Sequence, residues 1–200
     1  MKTLSLLAVA ILGWYAYHRL HAPLTYPPGV LIAADPSQTA VGAEATPFPS
    51  GKFRLRPLAH FALAARVLHC KIYRYDRAAE LVPVDLAVGW GAMSDQAVLN
   101  QLEISQASRF FYYEYQRQPP IPPNEIISHA TNLHLIPASE TIADRCKSLL
   151  AGELIHLSGL LVEASGPGIS GTWRSSLSRT DSGNGACELV WVEEIGPLVR

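Results

Sequence analysis

Hydrophobic residues follow three regimes along this chain. From Thr3 to Tyr17 the run TLSLLAVAILGWYAY carries no charge, with Lys2 before it and His18 and Arg19 after it. From Ala22 to Gly51 neither a 3.6 nor a 2.0 period holds for long, and Pro, Ala, Gly, Ser and Thr dominate. From Lys52 onward, short segments alternate apolar and polar positions between turn residues, which is the signature of half-buried strands.

In the third regime, FRLRPLAHFALAARVLHCKIYRY predicts two strands around Pro57, the second near 61–75, although its Ala-rich middle also suits a helix. A strand follows over 84–88, stopped by Gly89-Trp90-Gly91, and Ser94 or Asp95 caps a short helix through about Leu102. The aromatic SRFFYYEYQ predicts one strand over about 108–116. PPIPPNEIISHATN predicts a helix over 122–130, entered through prolines, and LHLIP a short strand. SETIADRCKSLLAG has the clearest helical pattern: Ser139 as cap, Ile142, Cys146, Leu149 and Leu150 on one stripe, Gly152 as stop. A strand over 153–164 leads to WRSSLSRTDSGNGACELVWV (173–192), where alternation about a glycine turn predicts a hairpin. In that hairpin Trp173 and Leu177 face Leu189 and Trp191, and the Ser/Thr row faces water. The expected fold class is α+β, mainly antiparallel β with two or three short helices, including a small OB-like barrel over 153–195.

The first regime is the strongest pointer to location. A helix of about 18–20 residues crosses a ~30 Å hydrocarbon layer. The run from Thr3 to Tyr17 is a little short alone, and spans if Lys2 and Arg19 snorkel outward. Trp14, Tyr15 and Tyr17 sit where an aromatic belt belongs. A cleaved signal peptide and a buried helix are the competing readings. Leu20-His21-Ala22 is a poor cleavage site, so the expectation is one transmembrane anchor over 1–21, with the lipid bilayer as partner. Charge flanks lean toward the N-terminus inside and the body outside, hence a single-pass protein of a bacterial inner membrane with a periplasmic domain. Residues 22–51 are expected as a stalk or an arm lying on the domain, with Gly29–Ile32 as a possible edge strand, and 52–200 as a single α+β domain.

Composition narrows the function classes. The formal net charge is −1 and the 4 lysines (Lys2, Lys52, Lys71, Lys147) form no basic stripe, so nucleic acid is not the expected partner. Cys70, Cys146 and Cys187 contain no C-x-x-C pair, and sequence does not choose among their three pairings. No metal or cofactor signature is complete: Ser94 stands where a dinucleotide loop needs its third glycine, and DSGNG is too short for a calcium loop.

DLAVGWGAMSD (85–95), NLHLIPA (132–138), GELIHLSGLLVE (152–163) and WRSSLSRTDSGNGACE (173–188) together resemble a family of bacterial proteins with an N-terminal membrane segment and no assigned activity. The resemblance covers roughly 26–195. It implies one bacterial envelope domain and transfers no catalytic residue.

Two candidate chemistries remain. Cys187 follows a flexible turn and could act as a thiolate nucleophile with His134 as base, as in an envelope hydrolase or transferase. The competing reading packs Cys187 beside Trp173. Asn132, Arg109, Arg174 and Arg179 could converge on an anionic ligand, against the plainer reading of solvated arginines. The leading expectation is a non-enzymatic binding or assembly module with an envelope protein as partner.

Overall fold

The computed structural model describes residues 22–42, 44–178, 183 and 185–198. The anchor expected over 1–21 lies outside the described residues, and among these no helix is long and apolar enough to cross a membrane. The rest is α+β and mainly antiparallel. Strands β1 (Ser37–Ala40), β2 (Phe48–Ser50), β3 (Phe53–Ile72) and β4 (Val84–Gly89) come first. A 3-10 turn (Gly91–Ser94), α1 (Gln96–Leu99), β5 (Glu103–Ala107), β6 (Phe110–Glu114) and α2 (Pro123–Ser128) follow. β7 (Ala130–Pro137), α3 (Glu140–Lys147), β8 (Leu154–Ser165), β9 (Trp173–Arg174) and β10 (Glu188–Pro197) complete the chain.

Five of these strands close on themselves in the order β3-β4-β7-β10-β8-β3. The β7–β10 contact is parallel and the other four are antiparallel. Closure leaves none of the five with a bare edge along its paired length. Strand alternation then sorts residues: Leu63, Leu86, Leu133, Leu135, Leu157 and Val190 share one interior core. α3 closes onto this core through Ile142, Cys146 and neighbouring Leu149, held at its start by the Ser139 hydroxyl accepting from the Ile142 N–H at 3.3 Å. The ring therefore draws on 53–197, not on 153–195 alone.

Two expectations about strand ends and pairing are corrected. Pro57 does not separate two strands. β3 is one 20-residue strand whose register shifts between Pro57 and Ala59 and again between Val67 and His69. Bulges bend a strand without ending it, and a proline lacking an N–H is tolerated at one. That bend lets the first part of β3 pair with β8 and the last part with β4. The aromatic strand expected over about 108–116 forms as β6, and β5, which was not expected, pairs with it in a hairpin inserted between β4 and β7. Among the described residues the two sides of the hairpin expected over 173–192 are not paired strands: Trp173 and Arg174 pair with Ala164 and Glu163 of β8, β10 pairs with β7 and β8, and the Ser176 N–H donates to the Cys187 carbonyl (3.1 Å). Trp173, Leu189 and Trp191 still share a cluster, and of the Ser/Thr row Thr172 and Ser178 are exposed while Ser176 is buried.

Residues 22–50 lie along the ring. No strand forms at 29–32. The Gly29 N–H donates to Asp95 Oδ1 (2.8 Å), and the Leu31 and Ile32 N–H groups both donate to Ser94 Oγ (3.0 Å each). β1 and β2 add to β3 beside its first half, where β4 has already ended.

Candidate functional site

The densest polar cluster lies on the outward face of β4 and β7. Val84, Leu86 and Val88 point into the core, so Asp85 and Ala87 point away from it; likewise Leu133 and Leu135 point in, and Asn132 and His134 point out. Register sets Asp85 directly opposite His134, and Ala87 opposite Asn132. These outward residues are nevertheless buried, because β5–β6 folds down over them.

The turn of that hairpin is Ser108-Arg109, both with positive φ (50° and 70°). Two non-glycine residues in the left-handed region carry backbone strain, which persists only where surrounding contacts hold it. Arg109 supplies them. Its Nη1 donates to Asp85 Oδ1 (3.0 Å) and to the Val82 carbonyl (2.8 Å). Its Nε and Nη2 form a fork on Asp76 (3.0 and 2.7 Å), and its guanidinium lies 3.7 Å from the centre of the Tyr73 ring. Burial pushes the Tyr73 phenol up, against the Arg109 N–H that donates to its oxygen.

His134 Nδ1 meets the same Asp85 Oδ1 at 2.8 Å, and its ring stands 4.8 Å from the Trp173 ring. Asp85 is fully buried, and its Oδ2 has no hydrogen-bond partner among the described residues. Asn132 is gripped by the hairpin: its Nδ2 donates to the Arg109 carbonyl (3.1 Å), and its Oδ1 accepts from Gln106 Nε2. Gln106 Oε1 in turn meets His69 Nδ1 at 2.8 Å. Cys187 Sγ lies 3.9 Å from Asn132 Nδ2 and 4.0 Å from the Arg109 carbonyl.

Four of the candidate residues thus come together: Arg109, Asn132, His134 and Cys187. Arg174 does not join them. It meets Glu163 at 3.0 Å on the outside of β8, and Glu163 also takes Arg56 at 2.7 Å. The hydrogen bond from Arg56 above all holds the Glu163 carboxyl below its ordinary range. Arg179 lies outside the described residues. Sequence reasoning missed Asp85, Asp76 and Gln106, and considered His69 only as a metal ligand. The signal for Asp85 was present: an acid inside the apolar strand VDLAVG needs a cationic or hydrogen-bonding partner brought to it.

Chemically the cluster is a clasp. One carboxylate is shared between a guanidinium and an imidazole, and the guanidinium is spread over two carboxylates, a carbonyl and a ring. A separate concave surface lies at the base of β5–β6. It is a cleft of about 920 Å³ with walls that include Asn100, Gln101, Glu103, Tyr115, Arg117 and Gln118. Comparisons of the chain with protein-family models, with curated proteins and with solved structures return no match.

Proposed function

We propose that the chain is a membrane-tethered binding module: a single-pass protein of a bacterial inner membrane whose periplasmic domain recognises an envelope protein. The observation that carries the reading is the state of His134, the candidate base, and of the Asp85 carboxylate it meets. Asp85 and His134 are buried, and the Arg109 side chain that closes over them has its donors engaged by Asp76, Asp85 and Val82. Groups held this way fasten a hairpin. A reacting group has to reach its substrate.

The ring order supports the same reading by analogy. Strands one, two, three, five and four in succession, with three and five parallel, form a Greek-key barrel of the OB kind, which serves binding through its second and third strands and adjoining loops. Here β5–β6 covers the second and third strands, so recognition moves to the exposed side of the hairpin. The cleft at its base offers side-chain amides from Asn100, Gln101 and Gln118, the Arg117 guanidinium, and the Tyr115 ring, which is 41% exposed. Amides that both donate and accept suit the main chain of a polar peptide segment.

The test is a photo-crosslinking amino acid at Tyr115 in the full chain in its native membrane, with Tyr75 as control. Tyr75 is 96% exposed and lies on the β3–β4 loop. The expected result is a discrete protein adduct at Tyr115 that Arg117→Glu removes. Adduct formation no greater at Tyr115 than at Tyr75 overturns the binding reading. A reporter fused to the C-terminus that is active only in the cytoplasm overturns the periplasmic placement.

A further inference from the structure

A second concave surface lies at the other connection of the ring, between α3 and β8. Leu24, Tyr26, Leu150, Leu154, Pro197 and Leu198 line a groove of about 540 Å³. Leu24 is 43% exposed there. Its one charged wall residue among those described is Glu153, whose carboxylate is already engaged by Arg145 (2.5 Å) and by the Leu150 N–H (2.7 Å). The groove therefore presents apolar side chains and a neutralised ion pair.

Its position along the chain is the informative feature. Leu24 is pinned to the ring: its N–H donates to the Ala151 carbonyl (2.8 Å), and its carbonyl accepts from Arg66 Nη2 (3.2 Å). Arg66 is itself buried, and its guanidinium lies 5.1 Å from the centre of the Tyr26 ring. The apolar run ends at Tyr17, so the leash to Leu24 is the stretch His18–Pro23. At about 3.5 Å per residue, that leash reaches at most ~25 Å even when fully drawn out. The headgroup layer itself occupies roughly 5–7 Å on each side of the hydrocarbon. The leash also carries His18, Arg19 and His21, which suit an anionic headgroup surface.

We infer that the ring sits directly on the bilayer, with the Leu24–Leu154–Leu198 groove embedded in the lipid headgroup layer. The inference rests on the tether proposed above for residues 3–17, and adds to it which face of the domain meets the lipid. A free stalk over 22–51 would hold the domain away from the surface. An arm fastened at Leu24, Gly29, Leu31 and Ile32 adds no reach of its own, so the leash before Leu24 alone limits how far the groove can lie from the hydrocarbon. An occupant made of lipid acyl chains and glycerol matches the groove's chemistry, and the leash delivers the groove to it.

The experiment uses the full chain in phospholipid vesicles doped with a diazirine-bearing phospholipid. After photolysis, lipid-modified peptides are mapped by mass spectrometry, alongside flotation of the vesicles. Expected are adducts on 22–28, 148–156 and 196–198 at least about fivefold above those on the hairpin, 103–118. The Leu24→Asp variant, altering a side chain already partly in solvent, should float equally well and lose the groove adducts. Flotation with groove labelling at the hairpin's level overturns the inference while leaving the tether intact. A crosslink from the groove to residues 1–19 in place of lipid also overturns it, because the chain's own segment then fills the groove. Protein that fails to float overturns the tether and the inference together.

Discussion

Arg109 holds the hairpin, two acidic residues and one aromatic ring in a single side chain, whereas Arg174 shares a surface carboxylate with Arg56. Removing Arg109 leaves the buried Asp85 charge with only His134, and breaking such a buried pair costs about 3–5 kcal/mol. Removing Arg174 costs less than about 1 kcal/mol, the usual worth of an exposed pair. Urea unfolding of Arg109→Ala and Arg174→Ala checks both; equal losses would show that the clasp is not structural. The cysteines give a pH dependence. Burial pushes the Cys70 thiol up to about 11 and the Cys146 thiol up to about 12, and the Tyr73 phenol is raised by burial too. An acid whose pKa rises on folding keeps its full stabilising contribution below its unfolded pKa and loses it as the pH climbs toward the folded value. Thermal stability should therefore fall between about pH 9 and pH 11, and alkylation of Cys70 in the native protein at pH 8 should run about a hundredfold slower than for an ordinary thiol. Of the site, the residue types were legible in the sequence and their grouping only in part. Arg109, Asn132, His134 and Cys187 carried chemistry worth naming, but their meeting depends on a register between β4 and β7 and on a hairpin landing on top of it. Arg174 was named for the same reason and stands apart, because nothing in a single arginine says which strand it will face.

Helix ends and isolated strands were readable for a local reason. Ser139 and Asp95 accept backbone N–H bonds within their own turn, so their meaning is written two or three residues away. The arm was harder to read, since its partners Ser94, Asp95 and Gln96 are more than 60 residues distant. Two substitutions test it. Gly152 has φ of +90°, and a Cβ there would lie 2.0 Å from the Leu24 carbonyl oxygen. Gly152→Ala should loosen the arm where it crosses, raising proteolytic cutting within 24–36 several-fold before the ring unfolds. Hydrogen bonds from Gly29 first, and Ala97 next, hold the Asp95 carboxyl below its ordinary range. This contribution is present above the unfolded pKa near 4 and lost as the pH falls through the folded value, so acid below about pH 4 should also speed cutting within 24–36 in the wild type, and Asp95→Ala should speed it at neutral pH. In the hairpin, Glu103 and Glu114 stand directly opposite each other, an unfavourable like-charge pair. Glu114→Gln should raise stability by roughly 0.5 kcal/mol in thermal melts.

Across the whole molecule, closure joins β3 to β8 over roughly a hundred residues of chain, with Arg54 opposite Ser165 and Arg66 opposite Leu154. Such long-range pairing makes folding slow. Refolding followed by tryptophan fluorescence should take milliseconds to seconds, and a microsecond phase accounting for the full signal change would contradict it. Close approach is built into the same closure: a Cβ at Gly159 would lie 1.9 Å from the Trp191 carbonyl oxygen, so Gly159→Ala should destabilise the whole ring rather than one loop. The sequence by itself determined an α+β chain of alternating strands, capped short helices, an uncharged N-terminal run and no completed catalytic signature. Each of those is a property of neighbouring residues. Only the tertiary structure decided that Pro57 bends one strand, that Trp173–Arg174 pair with β8, that Asp85 shares its oxygen with Arg109 and His134, and that 22–50 is fastened to the ring. A strand's two-residue period shows which side chains share a face. Its partner and register are chosen when every strand must close around one core.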